Sequence, residues 1–288
     1  MSAVYKRELR AYLHNVYGWL FAAILILFVS FMMFTYNLVN GMPQFEYALS
    51  NSQYALLVLI PILCMRSMAE DKRNRTDMFY LSLPMQTSSV VLGKYFALLT
   101  VLAAPCALFA IYPLILGSFG EISYASAYLG LLLFFLLGAG LIAVCQFLSS
   151  LTENLVVSAV LSVAVSAILF FIPLLGYMLP DTPMASFIGL AVLALLVAAV
   201  AFLVTRNLNV TTITGAALIL PLCTLFILMK ASFTGLLSKV LEYVSPYIHF
   251  ATFCEYGTLR LSGVILLLSY PVFFVFLTVQ SADKKRWD

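Results

Sequence analysis

Two histidines, His14 and His249, and five scattered cysteines (Cys64, Cys106, Cys145, Cys223, Cys254) are the chain's candidate metal ligands and nucleophiles. Neither set is spaced for that work. A zinc site needs clustered His, Cys or carboxylate ligands, and here no His pair and no paired cysteine motif exists. Four of the cysteines fall in apolar runs and read as buried free thiols. No pair of membrane carboxylates is placed for acid–base chemistry. Gln146 and Glu153 sit near the ends of apolar runs, where interfacial placement accounts for them. There is no glycine-rich phosphate loop. Ion-coupled carriers place ionisable groups within their spans, and no charge lies mid-span here. The chain therefore reads as non-catalytic, with no metal, no cofactor and no energy source of its own. A subunit driven by something else fits this inventory.

The elements that would position any function are membrane helices. Of 288 residues 64% are hydrophobic and 9% charged, whereas a soluble domain carries about 25% charged residues. Eight charge-free runs are each long enough for a helix to cross a hydrocarbon layer of ~30 Å. The runs are continuous rather than alternating, which favours helices over barrel strands. The expected spans are Tyr17–Leu38, Gln53–Met68, Val90–Gly117, Ser126–Leu148, Asn154–Tyr177, Ser186–Thr205, Thr211–Met229 and Gly263–Gln280. The first is too long for a signal peptide, so it reads as a retained span. Pro61, Pro105, Pro173, Pro221 and Pro271 are expected to bend helices. The fold class is all-α, polytopic, with about eight transmembrane helices in a single domain over residues 1–288.

An even span count puts both termini on one face. That face then carries Lys6, Arg7, Arg10, Arg66, Lys72, Arg73, Arg75, Lys94, Arg206, Lys284, Lys285 and Arg286, leaving only Lys230, Lys239 and Arg260 opposite. The bias predicts cytoplasmic termini and a multi-pass protein of the cytoplasmic (plasma) membrane. The net charge of +3 follows the membrane and is not a nucleic-acid footprint.

Three segments outside the spans carry a pattern of their own. Residues 2–15 place Val4, Tyr5, Leu9, Tyr12 and Leu13 on one helical side and Lys6, Arg7, Arg10 and His14 on the other. This is the pattern of an amphipathic helix on the lipid interface, with membrane lipid as its partner. Residues 66–89 form the longest cytoplasmic connection, charged at its start and apolar at Met78, Phe79, Leu81 and Leu83. Such a segment can dock a soluble partner or serve as a topogenic loop. Thr87 or Ser88 could cap the following helix. In residues 231–260, Phe233, Leu236, Leu237, Val240, Leu241 and Val244 recur at helical steps, with Pro246 as the expected stop. That outer segment reads as a lid or as part of an exit gate. Ser158, Ser162 and Ser166 form a small-residue stripe suited to close packing, within the subunit or across a dimer.

The segment from Pro61 through Arg66, Glu70, Asp71 and Lys72 is followed by Thr76 to Pro84 and then Val91-Leu92-Gly93-Lys94. It resembles the permease subunits of type-2 ABC exporters, in particular the gliding-motility-associated and nitrous-oxide-cluster branch. Tyr5–Leu9, Leu151–Asn154 and Phe276–Trp287 fit the same branch. The resemblance implies that residues 2–15 are a connecting helix. It makes the region from Glu70 to Leu83 a coupling helix that docks in a groove of a separate ATP-binding cassette subunit. Glu70, Asp71, Lys72, Arg73 and Arg75 would supply charge complementarity there, and Met78 and Phe79 apolar anchors. Ser149–Asn154 would be a second contact, and Phe233–Val244 would match the family's outer re-entrant helices.

The resemblance further implies a second permease copy, identical or related, with room for an auxiliary extracytoplasmic subunit. ATP would be bound by the partner. Export would then follow by alternating access. Two departures stand out: Arg75 occupies a position where relatives often carry Gly, and the usual core has six spans rather than eight. The other function classes open at this stage are a stand-alone secondary carrier or lipid scramblase, and a scaffold or membrane enzyme.

Overall fold

The structure, a computed structural model, describes residues 1–75, 86–205, 208–228 and 233–287. The described residues are helical almost throughout and form two compact units, Met1–Phe170 with Pro246–Asp288, and Phe171–Ser245. Six helices among them are long and apolar enough to cross a membrane. This is an all-α polytopic membrane protein.

In the first unit, α1 (Ser2–His14) precedes α2 (Val16–Met33), which continues as a π-helical stretch to Val39. Then come α3 (Phe45–Cys64), the short α4 (Ala69–Arg73), α5 (Thr87–Phe109), α6 (Tyr112–Leu116), α7 (Tyr124–Leu151) and the first part of α8 (Leu155–Met178). The second unit takes the rest of α8, then α9 (Pro183–Thr205), α10 (Leu208–Leu228) and α11 (Leu236–Val244); α12 (Pro246–Tyr256) and α13 (Leu261–Trp287) return to the first.

The core of the first unit is built around α7, which packs against α3, α5, α12 and α13. Small residues make that possible, because lipid supplies no hydrophobic force between helices and close contact must supply it instead. A Cβ on Gly138 would lie 2.6 Å from Leu102 Cδ2, so the glycine leaves room for the Leu102 side chain of α5. Phe134, Leu137 and Leu141 on α7 and Leu98 and Leu102 on α5 are fully buried there. By contrast, α8 turns Val156, Val160 and Ile168 outward while its Ser158, Ser162 and Ser166 are buried. Ser166 Oγ lies 3.8 Å from Cys145 Sγ of α7. In the second unit, α9 packs on α10 and α11, and Ser238 Oγ donates to the Gly176 carbonyl at 3.1 Å.

Several boundaries differ from the sequence expectation. The second span begins at Phe45 rather than Gln53, so Glu46 lies buried in its first turn. The third is broken near Ala110 and resumes as α6. Its first helix starts at Thr87 with Gln86 as N-cap and no side-chain cap bond, so neither Thr87 nor Ser88 caps it. The last helix runs on to Trp287, carrying the basic cluster on a continuation of the span. Pro246 ends α11 as expected and also opens α12, where its missing N–H costs nothing. The expected spans Ser186–Thr205 and Thr211–Met229 correspond to α9 and α10, whose described apolar stretches are Pro183–Leu195 and Gly215–Phe226.

Candidate coupling site at the basic face

The chain brings α1, α4, the start of α5 and the end of α7 together at the face that carries the N-terminus. In α1, Val4 is buried and Tyr5, Leu9 and Tyr12 are half-buried, while Lys6, Arg7, Arg10 and His14 are exposed. The helix approaches α5 so closely that a Cβ on Gly93 would lie 3.1 Å from Val4 Cβ. Tyr5 OH and Thr100 Oγ1, 3.0 Å apart, share a hydrogen bond. Leu13 is exposed rather than on the packed side, and Glu8 is buried among the apolar residues.

Glu8 turns inward because Lys94 waits there. Lys94 sits two turns into α5 with its side chain only 3% exposed. An ammonium has three donors and no acceptor, and three oxygens surround this one. Nζ is 2.6 Å from Asp71 Oδ2, 3.4 Å from Glu8 Oε1, and donates to the Ser67 carbonyl at 2.6 Å. Arg7 completes the cluster at 2.7 Å from Glu8 and 4.0 Å from Asp71. Two cations and two carboxylates balance in the cluster, with Arg7 half-exposed at its rim.

Beside the cluster, Arg66 forks onto Glu70 with bonds of 2.9 and 2.8 Å. This bidentate geometry is the stronger form of an ion pair. The Arg66 guanidinium also lies 4.6 Å from the centre of the Tyr17 ring, a cation–π contact that ties the turn before α4 to the start of α2. Glu8, Tyr12, Tyr17, Arg66 and Glu70 line a cleft of about 120 Å³ between α1 and α4. Burial holds the Tyr12 hydroxyl well above its ordinary pKa, and the nearby Cys64, Glu8 and Glu70 add to the effect.

A third set of contacts joins α4 to α7. The first amides of a helix lack intrahelical acceptors, and α4 has no side-chain cap of its own. Ser149 of α7 supplies one from outside. Its Oγ accepts from the Met68 and Ala69 N–H groups at 3.2 and 3.0 Å and donates to the Met65 carbonyl at 3.3 Å. Lys72 Nζ donates to the Ser150 carbonyl. Ser150 Oγ reaches Ser281 of α13 at 3.2 Å, and Gln146 Nε2 reaches the Val91 carbonyl of α5 at 3.1 Å.

Each sequence-derived candidate now has a place. Glu70, Asp71 and Lys72 are bonded within the chain. Arg73 and Arg75 are exposed, as are Lys6 and Arg10. Arg75 has φ +56°, in the left-handed region. It follows α4 where helices commonly end in glycine, which gives a physical reason for the Gly often found there in the proteins this chain resembles. Met78 and Phe79 lie outside the described residues.

The sequence reading gave Glu8 no role, placed Lys94 only among the basic residues of one face, took Gln146 as interfacial, and had Ser149 only as the start of an implied second partner contact. Lys94 did carry a signal, because a lysine just inside an expected span calls for a buried partner.

The sequence model of one family, described as "ABC-2 family transporter protein", matches residues 11–209. The match takes in α4, Lys94 of α5 and Ser149 of α7. No curated protein matches the chain.

Proposed function

Because the chain belongs to the ABC-2 family of transporter proteins, we propose that it is the permease subunit of an ATP-driven ABC exporter in the cytoplasmic membrane. Both termini face the cytoplasm, and a separate ATP-binding subunit docks on the segment that begins with α4. A second permease copy completes the path. The finer relationship to the gliding-motility and nitrous-oxide-cluster permeases belongs to the same proposal. Cargo crosses by alternating access, and ATP is bound and hydrolysed in the partner.

The observation that carries this reading is the Lys94 cluster. It makes α1, α4 and α5 a single mechanical piece at the basic face, so a displacement imposed on α4 is passed to a membrane helix through contacts of 2.6 to 3.4 Å. Packed ionic contacts of this kind transmit movement because they do not deform continuously. The exposed Arg73 and Arg75 are free to meet an acidic or polar groove, with Met78 and Phe79 as apolar anchors. Lys6 and Arg10 suit anionic headgroups.

The test is mild-detergent recovery of the tagged chain with its companions, followed by ATPase measurement on the complex. An ATP-binding subunit should co-purify in roughly equal amount. Arg73→Glu and Phe79→Asp should each reduce co-purification and the stimulation of ATPase activity. If both variants retain their partner and full stimulation, the docking assignment is wrong. Recovery of the chain alone, even after cross-linking, would favour an autonomous carrier or scramblase.

A further inference from the structure

At the opposite end of α3 lies a second polar constellation that the coupling site does not use. Glu46, Gln53 and Tyr247 are only 4%, 6% and 2% exposed. Glu46 Oε1, Gln53 Oε1 and Tyr247 OH have no hydrogen-bond partner. Buried polar atoms are almost always bonded, and those that are not call for an explanation.

The three belong to one seam. Glu46 and Gln53 are seven residues apart on α3 and share a helix face. Across from them, α12 runs antiparallel to α3. Tyr47 OH donates to the Glu255 carbonyl at 3.5 Å near one end. At the other end the Phe170 ring links Tyr54 and Tyr247, with centroid distances of 5.2 and 5.1 Å. Gly130 of α7 opens the corner for Glu46, since a Cβ there would lie 3.1 Å from Glu46 Cγ and 3.6 Å from Phe253 Cε1. At the Glu46 end of the seam the titratable groups on α12 are Cys254 and Glu255. Burial pushes the Cys254 thiol up, and the neighbouring Glu46 and Glu255 push it further.

The joints of α12 suit a movable element. Ser245 before it is extended, and Gly257 after it has φ +64°, a left-handed conformation glycine adopts without strain.

We propose that the α3–α12 seam is a binding site for the cationic, N–H-bearing group of an amphipathic cargo. The site is closed in this structure and opened by displacement of α12. Glu46 provides the charge, and Gln53 and Tyr247 provide further acceptors about two turns along. All three orphan atoms can accept, and two can only accept, so the ligand must bring donors. An ammonium, amidinium or arylamine group on an apolar body meets that need and reaches the seam from the bilayer. This assignment rests on the transporter reading for its meaning but not for its test.

The test uses the full chain alone in lipid nanodiscs, with ethidium as the donor-bearing cation and Nile red as a neutral probe. Ethidium should bind saturably. Glu46→Gln should weaken it about tenfold or more, the loss expected for a charge-assisted contact. Gln53→Leu should weaken it by a smaller factor, and Nile red should be unaffected by either. Absence of saturable binding, or a Glu46→Gln affinity within about twofold of the original, overturns the proposal. Should Glu46→Gln fail to elute as a single species, the original chain answers instead. Dicyclohexylcarbodiimide should modify Glu46, read by peptide mass spectrometry, and ethidium should suppress the adduct; no suppression is equally fatal. Because no ATP-binding subunit is present, failure here leaves the permease reading intact. Loss of that reading in the pull-down would likewise leave the binding result standing.

Discussion

Replacing Lys94 with Met keeps the length of the side chain and deletes its charge, leaving Glu8 and Asp71 facing an apolar tip. At an effective dielectric near 20, the 2.6 Å contact to Asp71 alone corresponds to a gross attraction of about 6 kcal/mol. Desolvation of the lysine and repulsion between the two carboxylates offset much of it. Removing one member of a buried ionic group costs about 3–5 kcal/mol, chiefly because the remaining charge is stranded. Arg7 stays 2.7 Å from Glu8 and half-exposed, and it softens the loss. The lower end, about 3 kcal/mol, is therefore expected.

For a chain of this size that is a fall of about 6 °C in Tm, followed by intrinsic fluorescence of the purified chain in a fixed detergent. The decisive comparison is the triple variant Glu8→Gln, Asp71→Asn, Lys94→Met. It strands no charge, so it should regain all but about 1 kcal/mol of the loss, since neutral replacement of a whole buried ionic group is nearly free. Its coupling should not return, because the neutral side chains no longer bind α1, α4 and α5 as one piece. A Lys94→Met chain that melts within about 1 °C of the original, or a triple variant no better than the single, would refute the reasoning.

Other perturbations follow from the same geometry. Ser149→Ala removes the acceptor of two α4 amides and should cost about 1–2 kcal/mol, seen as faster hydrogen exchange at Met68 and Ala69. Arg75→Gly relieves a left-handed residue and should raise stability by about 1 kcal/mol, read as a higher melting temperature with the helical signal unchanged. Gly138→Ala drives a methyl against Leu102 and should cost about 1–3 kcal/mol. Leu102→Ala in the same chain should return part of that loss, which a double-mutant melting cycle measures.

What the sequence made legible was whatever depends on local composition. Long charge-free runs mark the helices, the lysine and arginine bias marks one face, and the spacing in residues 2–15 marks α1 as amphipathic. The misses share one physical cause. The expected second span began at Gln53 and left Glu46 outside, because the glycine that admits Glu46 lies on α7, far along the chain. The wheel of residues 2–15 assigned Glu8 to neither side, and its partner is on α5. Ser149 looks like any serine near a helix end, and only the fold shows that it caps a different helix. Arg75 is a partial exception. It stood out as a departure from the glycine often found there, while its left-handed backbone is visible only in the fold.

The positions of the Lys94 partners along the chain bear on how the protein is made. A lysine near the middle of a membrane helix disfavours insertion by about 2.5–3.5 kcal/mol, and less near the end. Glu8 and Asp71 both precede Lys94, so ribosomal synthesis delivers the two carboxylates before the ammonium. When α5 leaves the translocon, its counter-charges already stand at the basic face, and each new copy of Lys94 can be neutralised on arrival. A rearranged gene that placed α5 ahead of α1 and α4 would encode the same contacts, yet it would present the lysine to the bilayer with nothing to receive it.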